Sequence, residues 1–225
     1  MKPLRGLESA HRTIMGAPKI ICLARTFAQH ARELGNQIPK TPIYFLKASS
    51  AVIGPGECIR RPQISQEVHH EAEVAVWIGE TLTNAGVADA SKAIAGWTVL
   101  NDVTARDVQR ADNGRFGRAK NFDTFCPLSD QVVHELNWAD ARIQCWVDGE
   151  CRQDGHLSDL LYSPAEILSF LSQHMTLRTG DLVSLGTPAG VGPITHGQVV
   201  DIRLVDHSGE TMISLANPVV DQVST

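Results

Sequence analysis

The chain has 225 residues, 43% hydrophobic and 20% charged, with a net charge of -5 and a pI near 6.0. That length suits one large domain with a substantial core, and the weakly acidic balance argues against nucleic acid or an anionic membrane surface as partner. Five cysteines without a CxxC pair argue against a disulfide framework or a thiolate zinc site, and no stretch suits a signal core or a bilayer span, so a cytoplasmic protein that engages no membrane is expected.

In chain order, short apolar runs bounded by Gly, Pro or Asp predict strands over 19–23, 43–47, 71–78, 96–101, 142–147, 182–185, 199–204 and 211–215. Helices are fewer. One is expected over 27–34, stopping at Gly35-Asn36, and another follows Thr104, which with Asp107 three residues on resembles a capping box. The clearest covers 164–174, with Ser163 as N-cap, Pro164 at the first helical position and Glu166 completing a capping box. Strands outnumber helices without alternating with them. The expected fold is therefore α+β, mostly β, a mixed β-roll or distorted sandwich with a few short helices, rather than a doubly wound sheet or α/β barrel.

Within the run from His69 to Gly79, alternation along a strand puts Glu71 and Glu73 on one face. Two carboxylates in an apolar segment are costly unless a cation or hydrogen-bond donors offset them; a half-exposed acidic strand face is the plainer alternative. Asp102 ends the next strand, where it either caps the following helix or completes a three-carboxylate site. Such an all-oxygen set suits Mg²⁺, Mn²⁺ or Ca²⁺ rather than zinc or copper. His70 points away from the two glutamates, while His69 shares their face and stays ambiguous.

His30 and Glu33, three apart in a helical segment, face the same way, so Glu33 can orient the imidazole as a general base; an incidental surface pair has the same spacing. Lys47, closing a strand, and Lys120 could each meet an anionic substrate or simply be solvated. The run from Leu185 to Pro193 is too rich in Gly and Pro for a helix. Its backbone N–H groups could cradle a carboxylate, and a plain turn between strands explains it equally well. There is no P-loop ending, nucleophile elbow or HExxH helix.

Taken together, HHEAEVAVWIGE, NDVTARDVQ, RAKNFDTFCPLS, VDGECRQDG and GDLVSLGTPAGVGP, in that order, resemble the fumarylacetoacetate hydrolase superfamily, in particular its small acylpyruvate hydrolases and oxaloacetate decarboxylases. The resemblance implies a mixed β-roll spanning 19–225 behind an N-terminal extension, 1–18, and a homodimer. It implies Mg²⁺ or Mn²⁺ on Glu71, Glu73 and Asp102, with Ca²⁺ able to substitute. His30 and Glu33 would activate water, Lys120 and Thr187 would contact substrate and oxyanion, and Arg25, Lys47 and Gln109 would line the site. The expected reaction cleaves the carbon–carbon bond of an acylpyruvate, a small 2-oxo acid. Oxaloacetate decarboxylation or tautomerisation and 2-hydroxydienoate isomerisation on the same site are the alternatives, and a non-catalytic metal-stabilised scaffold is the remaining one. Two departures bear on specificity. Ala24-Arg25-Thr26-Phe27 stands where the family has Gly-x-Asn-Tyr, and the stretch between Gln109 and Lys120 is shorter and lacks the usual Trp.

Overall fold

A computed structural model describes residues 19–33, 35 and 37–223; the expected N-terminal extension, Leu34 and Asn36 lie outside the described residues. Strands dominate. The first half carries β1 (Ile20–Ala24), β2 (Ile43–Lys47), β3 (Val52–Ile53), β4 (Ile59–Arg61), β5 (Val68–His70), β6 (Ala72–Ile78), β7 (Ile94–Asn101) and β8 (Thr104–Ala105). The second carries β9 (Cys126–Pro127), β10 (Arg142–Val147), β11 (Glu150–His156), β12 (Leu182–Ser184), β13 (Gly192–Pro193), β14 (Val199–Val205) and β15 (Thr211–Asp221). Four α-helices join them among the described residues: α1 (Ala28–Glu33), α2 (Val87–Lys92), α3 (Arg106–Ala111) and α4 (Pro164–His174).

Two five-stranded sheets form the roll, in the orders β2-β1-β12-β6-β7 and β11-β10-β14-β15-β4. The first is mixed, since β12 runs parallel to β1 and antiparallel to β6. Side-chain alternation sends Ile21, Leu23, Val74, Val76 and Val183 into the main core with Ile143, Ile202 and Leu204 of the second sheet. The opposite face puts Ile20, Cys22, Ala75, Trp77 and Leu182 into a smaller core with Cys126 and Leu128. With both faces covered, every residue of β6 is buried, so its sequence reads as a continuous apolar run interrupted only by Glu73.

The α+β, mostly β expectation holds, and the differences lie at element ends. The expected strand 71–78 is broken: β5 belongs to a three-stranded sheet, β6 to the large one, and Glu71 is the link between them. Its N–H bonds to Asn101 Oδ1 and its carbonyl accepts from Asp102 N at 2.9 Å, so the break sets Glu71 beside Asp102. No Thr104–Asp107 capping box forms. Ala105 is the N-cap of α3, the Thr104 hydroxyl donates to Asp102 O, and Asp107 accepts from Ser65 Oγ and Gln66 N. The box at Ser163 and Glu166 is present in full. Helix α1 begins at Ala28, because Phe27 bridges to Leu160, and the turn at Gly35 has the left-handed φ of 67° that glycine tolerates.

Candidate active site

At the C-terminal end of β1, where β6 begins and β7 gives way to α3, a cavity of about 450 Å³ opens, lined by Arg25, His30, Phe45, Glu71, Glu73, Arg106, Gln109, Phe116, Lys120 and Thr187 among others. Its floor is a buried charge cluster. Lys120 Nζ lies 2.5 Å from both Glu71 Oε2 and Asp102 Oδ2, Lys47 Nζ lies 2.7 Å from Asp102 Oδ1, and Arg106 pairs with Glu71 Oε1. Burial alone would raise the Glu71 carboxyl, but Lys120 and Arg106 outweigh it and hold the pKa below its ordinary value. Burial would likewise lower Lys120, and the charges of Asp102 and Glu71 reverse that into a rise.

Glu73 differs. Among the described residues its carboxylate has no cation in contact and accepts only from the Ser184 hydroxyl, at 2.5 Å, so burial, then Asp102 and Glu71, push its pKa well above the usual carboxylate range. Cys22 Sγ and carboxylate oxygens of Glu73 and Asp102 lie within 4.8 Å of one another. These observations fit a divalent cation. Glu71 and Asp102 already converge on one positive charge, the Lys120 ammonium, and Glu73 beside Asp102 is short of one. Cys22 was not foreseen as a neighbour. Burial, then Asp102 and Glu73, raise its thiol pKa, and a hard ion prefers the carboxylate oxygens to sulfur.

His30 is buried on α1 with Nδ1 3.2 Å from Glu33 Oε2. Burial lowers its pKa against the opposing pull of Glu71 and Glu33, so the imidazole is neutral at neutral pH. With the Nδ1 proton donated to Glu33, Nε2 carries the free lone pair. Glu33 is in turn anchored, since its Oε1 accepts from Gly190 N at 3.0 Å. In the 185–193 loop one backbone N–H, that of Gly190, thus holds a carboxylate of the protein's own.

Two expected contacts are placed differently. Lys47 does not line the cavity; it is 4% exposed and bonds Asp102 and the Lys120 carbonyl, so it braces the floor instead of meeting substrate. The Thr187 hydroxyl faces the cavity wall but donates to Ala72 O and accepts from Gln153, which leaves it no proton for a substrate oxygen. Gln109 lines the cavity and accepts from Arg106. Arg25 lines it half-buried, at a left-handed φ of 59°, with no ion pair among the described residues. Of the histidines left open, His69 Nε2 lies 3.3 Å from Glu67, and His70 is buried against Gln153 with its pKa pushed by burial to about 4.

The substituted positions Thr26 and Phe27 lie in the wall behind the cavity. Thr26 donates to Leu185 O and Phe27 is buried in the core, so neither lines the cavity. Phe116 supplies an aromatic on the way to Lys120, stacked on Phe45 at 4.5 Å. Sequence reasoning missed Arg106 and Gln153 as site residues. The spacing of Arg106, Gln109 and Arg110 is a polar stripe on one helix face and is available as a signal; Gln153, on a polar edge strand, offers none.

The chain is similar to known proteins over most of its length. The family model for the fumarylacetoacetate (FAA) hydrolase C-terminal domain matches residues 19–220. Mitochondrial oxaloacetate decarboxylase of Dictyostelium discoideum is 37% identical over 191 residues, 81% of this chain and 86% of that protein. The structure of 5-carboxymethyl-2-hydroxymuconate delta-isomerase from Mycobacterium smegmatis superposes with a TM-score of 0.83 at 40% identity, covering 92% of this chain and 80% of that one. Fumarylpyruvate hydrolase from Pseudomonas aeruginosa, solved with Mn²⁺ and pyruvate, gives 0.82 at 29% identity, covering 92% and 91%.

Proposed function

Because the chain belongs to the fumarylacetoacetate hydrolase family, we propose that it is a divalent-metal-dependent enzyme that hydrolyses the carbon–carbon bond of an acylpyruvate, releasing pyruvate and a carboxylic acid. The observation that carries this reading is that a neutral, buried His30, held by Glu33, opens into the same cavity as Glu71, Glu73 and Lys120. Glu71, Glu73 and Asp102 would hold Mg²⁺ or Mn²⁺, which when bound supplies a Lewis acid for the 2-oxo acid head.

The chain's own groups account for the proton and charge movements. His30 Nε2 takes a proton from water, and the resulting hydroxide adds to the distal carbonyl of the substrate. The carbon–carbon bond then breaks, its electron pair leaves with the pyruvate enolate, and His30 returns the proton to that fragment. Glu33 fixes the imidazole tautomer throughout. The Lys120 ammonium and the Arg106 guanidinium face the developing negative charge, and a buried setting makes their field count for more than in water. Phe45 and Phe116, stacked on each other, give the cavity an apolar wall.

Oxaloacetate decarboxylation is the second reading, supported by the Dictyostelium relative. It needs no attacking water, so His30 separates the two. The test is a panel of acetylpyruvate, oxaloacetate and 2-hydroxydienoates with Mn²⁺, Mg²⁺ or chelator. Hydrolysis of acetylpyruvate that depends on both metal and His30 is expected, and turnover of none of the panel would sink the proposal.

A further inference from the structure

Gln153, on β11, is 1% exposed, and its side-chain amide is fully engaged. Oε1 accepts from Ala72 N at 3.0 Å and lies 3.0 Å from His70 Nδ1; Nε2 donates to Thr187 Oγ1 at 2.7 Å and to Pro188 O at 2.8 Å. A backbone N–H can only donate and a carbonyl can only accept, so the amide has one possible orientation. His70 must then carry its proton on Nδ1, and the Thr187 hydroxyl must send its own to Ala72 O. One side chain thereby fixes the start of the Glu73 strand to the loop that follows β12.

That loop reaches the general base. Gly190 has a φ of 97°, and a Cβ there would stand 2.0 Å from the Arg152 carbonyl oxygen, so the loop backbone lies directly on β11 beside Gln153. A Cβ on Gly155 would likewise meet the Pro188 ring, at 2.4 Å. From this seat the Gly190 N–H holds Glu33, and Glu33 holds His30. We propose that Gln153 is a positioning residue for the His30–Glu33 pair, acting through the loop 187–190. This rests on reading His30 as the base for water.

The test uses two variants of the full chain. Gln153→Met keeps length and bulk while removing all four hydrogen bonds, and Gly190→Ala dislodges the same loop from the other side. The ¹⁵N shifts of the His30 imidazole report which nitrogen carries the proton, and this needs no substrate. The wild type is expected to show the Nδ1–H form, and both variants a mixture with Nε2–H. On whichever 2-oxo acid is hydrolysed, kcat should fall roughly tenfold or more, while KM and Mn²⁺ affinity stay within about twofold, as expected for a misaimed base. An unchanged His30 tautomer in either folded variant would overturn the proposal. So would kcat and Mn²⁺ affinity falling by the same factor, which marks a general structural role. If no substrate in the panel is turned over, the functional reading fails while the imidazole shifts still decide this one.

Discussion

The Lys120 ammonium lies 2.5 Å from Asp102 Oδ2 with both side chains almost wholly out of water. The two charges offset each other's burial, with Lys47 also on Asp102 and Glu71 on the same ammonium. Lys120→Met should therefore cost the metal-free protein about 3–5 kcal/mol of unfolding free energy, the usual result of stripping one partner from a buried pair. Saturating Mn²⁺ should then return more stability to the variant than it adds to the wild type, because it replaces the missing positive charge. Urea denaturation with and without Mn²⁺ measures both, and an equal Mn²⁺ increment in the two proteins would contradict the picture.

His30→Ala should reduce acylpyruvate hydrolysis about 10²- to 10⁴-fold, the range associated with a lost general base. Decarboxylation of oxaloacetate, which requires no activated water, should fall much less. Steady-state rates on the two substrates give the comparison, and equal losses would argue against a separate role in water activation.

The pH dependence follows from the same residue. Burial lowers the His30 pKa from 6.5, and the reactive form is the deprotonated one, present above that pKa. The midpoint of the acid limb of hydrolytic kcat/KM should accordingly lie below 6.5. The Glu33 hydrogen bond raises the His30 pKa, so Glu33→Ala should move that decline further down while lowering the plateau. A limb at or above pH 7 in the wild type would refute the assignment.

Far from the cavity, Ser163 caps α4 by accepting from Glu166 N, with the Glu166 side chain returning the bond. Ser163→Ala should cost about 1 kcal/mol by chemical denaturation and leave kcat unchanged. A change in kcat would mean that α4 is coupled to the site in a way its contacts do not suggest.

Much of this was legible because local chemistry and tertiary structure agree. The α4 cap box, the turn at Gly35 and the apolar run of β6 each state their conformation in a few adjacent residues. Glu73 stood out because nothing apolar explains a carboxylate inside that run. What was hidden depends on contacts distant in sequence. From sequence Glu71 reads as part of a strand, since alternation cannot show that the chain changes sheets at that residue. Lys47 reads as a substrate contact, yet its partners, Asp102 and the Lys120 carbonyl, lie 55 and 73 residues away. Gln153 sits in a strand whose other residues are mostly exposed, so its burial against Ala72 and Thr187 is a property of the fold alone.

The central claim is that the Glu71–Glu73–Asp102 cavity is where a bound divalent ion and a 2-oxo acid meet. Pyruvate release from acetylpyruvate by chelator-treated protein, before and after Mn²⁺ is restored, in wild type and Glu71→Ala, tests it most directly. Release by the wild type only with Mn²⁺, and by Glu71→Ala in neither state, is the predicted result. Release by chelated Glu71→Ala at the wild-type rate would contradict it.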